Sequence, residues 1–274
     1  MDHAHTVAMA DRLIDAYEHA HTIDPITASD AGFGVDAAYA VLREIHARRL
    51  AAGWQAVGRK IGFTNRTTWP RYGVDRPLWA HIYSRTVQHA PTGAATLSVS
   101  RFVQPRIEPE IVFGVNGPVP QSGDARAVLE AVDWMAAGFE IVQCLFPDWT
   151  FRAPDCTAAF GLHGALVIGP EIALTGATRD RLANALTGFE AVLRRNGEVV
   201  DRGRGSDVLD SPALALQHLA CVLATQPEAP RLAAGEIITT GTLTDAWPLT
   251  PGTRWRSAFG ALGLAGMELH IESL

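Results

Sequence analysis

Two apolar runs carry carboxylates where a strand would bury them: Arg-Ile-Glu108-Pro-Glu110-Ile-Val-Phe-Gly and Ala-Gly-Phe-Glu140-Ile-Val-Gln. Their β-branched and aromatic residues favour strands. Side chains at i and i+2 of a strand share a face, so Glu108 and Glu110 project together. Glu140 stands between Phe139 and Ile141 in the second run. A carboxylate turned toward a core must be paired, protonated or bound to a metal. Three that converge repel one another, and a shared divalent cation is the simplest remedy. Oxygen-only ligation suits Mg2+ or Mn2+. The alternative for a Glu-x-Glu pair on a strand is a solvated face or an ion pair. Pro109 lacks a backbone N–H, which hints at a ladder edge or a bulge, where strands commonly aim side chains at a site.

A chain of 274 residues holds one large domain or two small ones and can bury a sizeable core. An apolar fraction of 47% beside 19% charged residues fits a globular chain rather than a disordered one. The net charge of −6 argues against nucleic acid or an anionic membrane as partner. The first residues lack the basic and apolar regions of an export signal, and no run approaches the roughly 20 apolar residues that span a bilayer. Cys144, Cys156 and Cys221 are odd in number, widely spaced and set in apolar contexts without zinc spacing. They read as reduced cysteines of a cytoplasmic protein.

Of 23 basic residues, one is lysine, Lys60, and the rest are arginine. Where arginine supplies generic positive charge, a lone lysine is a candidate for proton transfer at a tunable pKa. Its surroundings, Ala-Val-Gly-Arg-Lys60-Ile-Gly-Phe-Thr, read as a strand in which Gly58 and Gly62 permit close approach. A single surviving surface lysine is the competing explanation.

Helical spacing is expected over 6–20 and again from Asp36, a candidate cap, to Gly53. Residues 64–105, rich in turn formers, read as loops and short strands over a site. A helix is expected across 124–136 from Val128, Leu129, Val132 and Met135, between the two glutamate strands. A buried strand follows Gly164, and Asn196-Gly197 marks a hairpin. Ser211-Pro212 opens another helix, and short strands near 236–241, 253–256 and 265–272 end the chain. Helices first and mostly strands afterwards imply an α+β protein with one mixed, curled sheet. No repeat, linker or second boundary divides the chain, so 1–274 reads as a single domain, mainly helical over 1–70.

Gly58-Arg-Lys-Ile-Gly-Phe-Thr64, Arg106-Ile-Glu-Pro-Glu-Ile-Val-Phe-Gly114, Gly138-Phe-Glu140, Gly205-Ser-Asp-Val-Leu209 and Gly235-Glu-Ile-Ile-Thr-Thr-Gly-Thr-Leu243 together resemble one family. It is the 2-keto-4-pentenoate hydratase / 2-oxo-3-hexenedioate decarboxylase family of the fumarylacetoacetate hydrolase superfamily. The likeness runs in order from about residue 36 to the C-terminus. It implies a β-roll core over 71–274 behind the helical part, assembly into homo-oligomers, and Mg2+ or Mn2+ held by Glu108, Glu110 and Glu140. It also sets Lys60 beside the ion. The implied substrate is a small 2-oxo or 2-hydroxy acid of aromatic-compound catabolism, which offers a carboxylate and an adjacent oxygen to the cation. The activity expected first is hydration of a 2-hydroxy-2,4-dienoate. Decarboxylation of a 2-oxo-3-enedioate, hydrolysis of an acylpyruvate carbon–carbon bond and a non-catalytic metal-binding partner subunit are the alternatives.

Two departures from the family pattern bear on activity. After Gly-Val-Asp75-Arg-Pro77, hydratases of this family place an aspartate where this chain has Leu78. Asp75, three residues earlier, is a candidate substitute or a turn former, and His81 further on is a second candidate. Small polar residues of the family are replaced by Phe160-Gly-Leu-His163, where His163 could bind a carboxylate, act as an acid or be structural. Trp69, Trp79 and Trp149 are candidates for a pocket wall or for plain packing. Arg71, Arg76 and Arg152 are candidate anchors for a second carboxylate.

Overall fold

A computed structural model describes residues 3–273. The helical part holds α1 (His3–Glu18), α2 (Ile26–Ser29) and α3 (Val35–Ala51). Ala10 and Leu13 of α1 and Ala38, Val41 and Ile45 of α3 recur at helical spacing and share one apolar cluster with Phe146 and Phe160. Gly34, rather than Asp36, occupies the α3 cap, and Asp36 lies in the first turn, where a carboxylate complements the helix dipole. Arg49 of α3 lies over four rings, Tyr17, Trp54, Tyr83 and Phe160, at 4.1 to 4.9 Å. These cation–π contacts tie the helices to the strands behind them.

The strand-rich part begins with β1 (Ala56–Gly62), then α4 (Trp69–Tyr72), β2 (Leu78–Tyr83), β3 (Val87–His89) and β4 (Ala94–Leu97). Next come β5 (Arg106–Val115), α5 (Ala125–Leu129), β6 (Val132–Val142), α6 (Ala153–Ala158), β7 (His163–Ile168) and β8 (Ile172–Ala173). After α7 (Gly176–Gly188) follow β9 (Glu190–Arg195), β10 (Glu198–Arg204), α8 (Pro212–Ala224), β11 (Ile237–Thr239), β12 (Trp247–Pro248), β13 (Arg254–Ala258) and β14 (Glu268–Ile271). The long path is β2-β1-β11-β5-β6-β7-β3, with β12 on β5 and β8 on β6. It mixes parallel pairs, such as β1 with β11, and antiparallel ones, such as β5 with β6.

Two expectations are corrected here. The strands form two sheets rather than one, because β13 and β14 join the β9–β10 hairpin and β4 in the order β10-β9-β13-β14-β4. Leu193, Trp255 and Leu269 on that sheet are fully buried in the cluster that also holds Leu182 and Leu186 of α7. The expected helix across 124–136 is only α5, capped by Asp124 Oδ1, which accepts from Ala127 N at 2.9 Å. Val132 and Met135 fit a strand as well as a helix, and a ladder running from Arg106–Val142 to Val115–Val132 decides for the strand. Helix α7 was not anticipated, although Thr175 caps it and Leu182 and Leu186 mark its inner face.

Pro109 sits inside β5, not at a sheet edge. Its carbonyl accepts from Leu243 N at 3.0 Å on the side away from β6. The β11 partners begin at Val112 and the β12 partners end at Ile107, so the missing N–H faces a gap between two short strands. The ladder loses nothing there.

Candidate metal centre

Period-two alternation on β5 puts Arg106, Glu108 and Glu110 on one face. Glu140 of β6 stands directly across from Glu108 in the antiparallel register. Gly138 stands across from Glu110 and leaves the space open; a Cβ there would lie 2.5 Å from Val112 Cγ2. One carboxylate oxygen from each of Glu108, Glu110 and Glu140 lies within 4.8 Å of the others. Glu110 and Glu140 are fully buried, and Glu108 opens toward the cavity.

Each carboxylate is held from outside the trio. Gly241 N donates to Glu110 Oε2 at 2.8 Å. That approach needs glycine, because φ is +98° and a Cβ would meet Thr64 Oγ1 at 2.0 Å. Lys60 reaches across from β1 so that Nζ lies 3.0 Å from Glu140 Oε2, both groups buried. Gly161, at φ +58°, packs on the lysine stem, and a Cβ would sit 3.3 Å from Lys60 Cδ. His163 Nδ1 lies 2.7 Å from Glu140 Oε1, and its Nε2 lies 2.8 Å from the Thr86 hydroxyl.

The electrostatics follow from that packing. Burial works to lower the Lys60 pKa, yet Glu140, Glu108 and Glu110 together outweigh it and hold the ammonium protonated. For Glu140, burial opposes ionisation but Lys60 and His163 prevail, taking its pKa down to about 2. Burial pushes Glu108 up to about 7 against the pull of Lys60. Glu110 is raised well above the carboxylate range by burial and by its two acidic neighbours. Ionised together, three carboxylates against one ammonium would leave two negative charges in excess, and the raised pKa values of Glu108 and Glu110 express that cost. Glu110 Oε1 is buried without a hydrogen-bond partner, and Glu140 Oε2 meets only the Lys60 ion pair. All-oxygen donors, a double negative excess and an orphaned oxygen fit a hard divalent cation.

Above this floor opens a cavity of about 520 Å3, with Lys60 and Glu108 at its base. Phe63, Tyr72, Trp149, Phe151 and Trp247 form its apolar walls, and Thr64 and Arg106 add polar groups.

The remaining sequence candidates lie elsewhere. His163 is buried behind Glu140 and does not line the cavity. His81 pairs in register with Arg59, so it faces away from Lys60. It stacks on His46 at 3.7 Å in a smaller cavity shared with Trp79. Asp75 is on the surface, paired with Arg76 at 2.8 Å. Of the three tryptophans considered, Trp149 lines the main cavity. Sequence reasoning gave no role to Arg106 or to the Gly241 amide. Extending the alternation of Glu110 and Glu108 back by two residues would have found Arg106.

With the geometry in hand, the family profile described as "Fumarylacetoacetate (FAA) hydrolase C-terminal" matches residues 66–265. The chain belongs to the fumarylacetoacetate hydrolase family. Among its relatives, a 2-hydroxyhexa-2,4-dienoate hydratase of Comamonas testosteroni is 29% identical over 94% of each chain. A 4-oxalocrotonate decarboxylase of a Pseudomonas species is 29% identical over 90% of this chain and 89% of its own. The family fold is also seen in the structure of 4-oxalocrotonate decarboxylase from Pseudomonas putida complexed with magnesium and adipate. It superposes with a TM-score of 0.88 at 24% identity, covering 99% of this chain and 98% of that one. Among the described residues no helix is long and apolar enough to cross a membrane.

Proposed function

We propose that this protein is a divalent-cation-dependent lyase that hydrates a 2-hydroxy-2,4-dienoate. Glu108, Glu110 and Glu140 would hold Mg2+ or Mn2+. The observation that carries the proposal is the meeting of three oxygen donors and one buried ammonium on the floor of an aromatic-walled cavity. The named hydratase relatives support it. When bound, the cation supplies positive charge beside the carboxylate and adjacent oxygen of a 2-oxo acid and stabilises negative charge developing there.

The chain's own residues supply the rest. Lys60 Nζ carries a proton at the cavity floor, placed to deliver it to the substrate or to steady a negative oxygen. An arginine could serve only the second purpose. His163 keeps Glu140 oriented and ionised without touching substrate. The rings of Trp149, Phe151 and Trp247 offer flat apolar surface to a planar conjugated acid. Asp75 and His81, which do not face the cavity, have no part in this scheme. The protein is taken to work as a homo-oligomer in the cytoplasm, on the strength of the family pattern.

A second reading, decarboxylation of a 2-oxo-3-enedioate, is supported by a named decarboxylase at the same 29% identity. Purified protein with Mg2+ and a panel of dienoates, enedioates and acylpyruvates, followed by ultraviolet absorbance and carbon dioxide release, separates the two. Consumption of a dienoate without gas release is expected. No turnover of any 2-oxo acid with the cation bound would overturn the proposal.

A further inference from the structure

A second cavity, of about 190 Å3, lies apart from the metal centre, which makes no use of it. Tyr39, Leu42 and His46 line it from α3, Trp79 and His81 from β2, and Gln226 from just beyond α8. Strand register explains the separation. Arg59 pairs with His81 and faces this side, whereas Lys60 pairs with Ala80 and faces the glutamates. The roof is pinned, since Trp79 Nε1 donates to Gln226 Oε1 at 2.9 Å and Arg59 Nη1 donates to Pro230 O at 2.7 Å. The Tyr39 hydroxyl accepts from Trp79 N at 3.1 Å and fastens α3 to β2. Hydrogen-bonded elements thus frame the space on three sides.

Its polar groups are short of partners. His81 is 9% exposed, and neither ring nitrogen has a hydrogen-bond partner among the described residues. Its contacts are with rings: His46 stacked at 3.7 Å and Trp79 edge-on at 5.1 Å. His46 ties Nδ1 to the Tyr83 hydroxyl at 2.9 Å, and its Nε2 has no partner among the described residues. Burial first, then His46, Arg59 and Arg49, push the His81 pKa down to about 3, and burial lowers that of His46. A neutral imidazole offers one lone pair and one N–H, and a buried one calls for a partner.

Geometry narrows what that partner is. The two imidazoles lie parallel to within 10° and do not converge on one ion, and the glutamate trio is the one cluster of metal ligands among the described residues. No arginine is free for an anion, because Arg43 meets Glu228 at 2.7 Å and Arg59 meets Glu236 at 3.1 Å. An apolar cavity of about 150 Å3 takes benzene, so one six-membered ring fits here. Leu42 and the rings of Tyr39 and Trp79 give that ring apolar surface, and the imidazoles ask for a hydroxyl.

We propose that this cavity is a binding site for a small phenol, with its ring against Leu42 and Trp79 and its hydroxyl on His81. The ligand enters past the Arg43–Glu228 pair, whose side chains are 46% and 68% exposed. The site is independent of the reaction carried out above the glutamates.

Calorimetry of the full chain in the presence of Mg2+, with phenol, toluene and benzoate as probes, tests this. Phenol should bind once per chain with a Kd of about 1 mM or below, the range open to so small a ligand. It should bind at least about fivefold more tightly than toluene, the worth of one neutral hydrogen bond. In His81→Phe that advantage should fall to within about twofold, with Mg2+ affinity unchanged and a melting curve to establish folding. A crystal of the native protein soaked in phenol should show the ring beside His81. Toluene bound as tightly as phenol, benzoate bound more tightly, or no saturable binding of phenol would overturn the proposal. So would phenol found only above the glutamates, or an advantage over toluene that survives in folded His81→Phe.

Discussion

Replacing Lys60 by methionine nearly keeps the length of the side chain and removes the ammonium that faces two buried carboxylates, Glu110 and Glu140, and the half-buried Glu108. Lys60 Nζ lies 3.0 Å from Glu140 Oε2, with the two side chains 6% and 0% exposed. Breaking a buried ion pair from one side costs about 3–5 kcal/mol, because the abandoned charge stays desolvated. Glu108 and Glu110 are already raised in pKa and relieve part of the repulsion by taking up protons, which favours the lower end, about 3 kcal/mol. For a chain of this length, each kcal/mol moves the melting temperature by about 2–4 °C, so Lys60→Met should melt about 6–12 °C lower in EDTA. Mg2+ supplies the missing charge, so saturating Mg2+ should raise the variant's melting temperature by more than it raises the native protein's. Scanning fluorimetry at pH 8, with EDTA and with Mg2+, measures both. A variant that melts within about 2 °C of the native protein without metal, or that gains no more from Mg2+, would refute the charge argument.

Lys60→Arg preserves charge and should leave Mg2+ affinity within a few-fold while lowering kcat by about 100-fold or more, as expected for loss of a proton donor; steady-state rates beside calorimetry decide this. His163→Gln, which unties Glu140, should weaken Mg2+ binding by roughly 10–100-fold, read by calorimetry. Burial first, then His46, Arg59 and Arg49, push His81 from 6.5 down to about 3. The unfolded chain therefore takes up this proton as pH falls below 6.5 while the folded chain does not. The stabilisation is complete above that value and is lost progressively toward pH 3. Between pH 8 and pH 5 the loss attributable to His81 is about 2 kcal/mol, and His81→Phe should abolish that part of the pH dependence in urea titrations. An unchanged slope would show that His81 is protonated in the folded protein.

What the sequence made legible were features encoded within a few residues. Glu108 and Glu110 share a face because of strand alternation, and the Asn196-Gly197 hairpin and the Ser211-Pro212 helix start carry local turn and cap chemistry. The β5–β6 pairing was not legible, because Val128, Leu129, Val132 and Met135 match helical spacing, while β6 is buried on both faces from Met135 to Val142 and so shows no alternation; a partner strand settles the choice. Nor was the division into two sheets, which depends on where β13 and β14 find an edge. The setting of His163 comes from Thr86, 77 residues away, so no local pattern could tell a ligand-binding histidine from one that braces Glu140. Asp75 looked like a substitute for the aspartate missing at Leu78, and His81 like a separate catalytic candidate; neither reaches the site. Register turns His81 away from Lys60, and a surface turn takes Asp75.

The metal centre itself is tested most directly by an anomalous difference map from crystals of the protein soaked in Mn2+. One peak is expected between the carboxylates of Glu108, Glu110 and Glu140, within bonding distance of all three, and it should vanish in Glu110→Gln. A catalytically active, Mn2+-soaked crystal with no peak among these glutamates, or with its only peak elsewhere, would contradict the assignment.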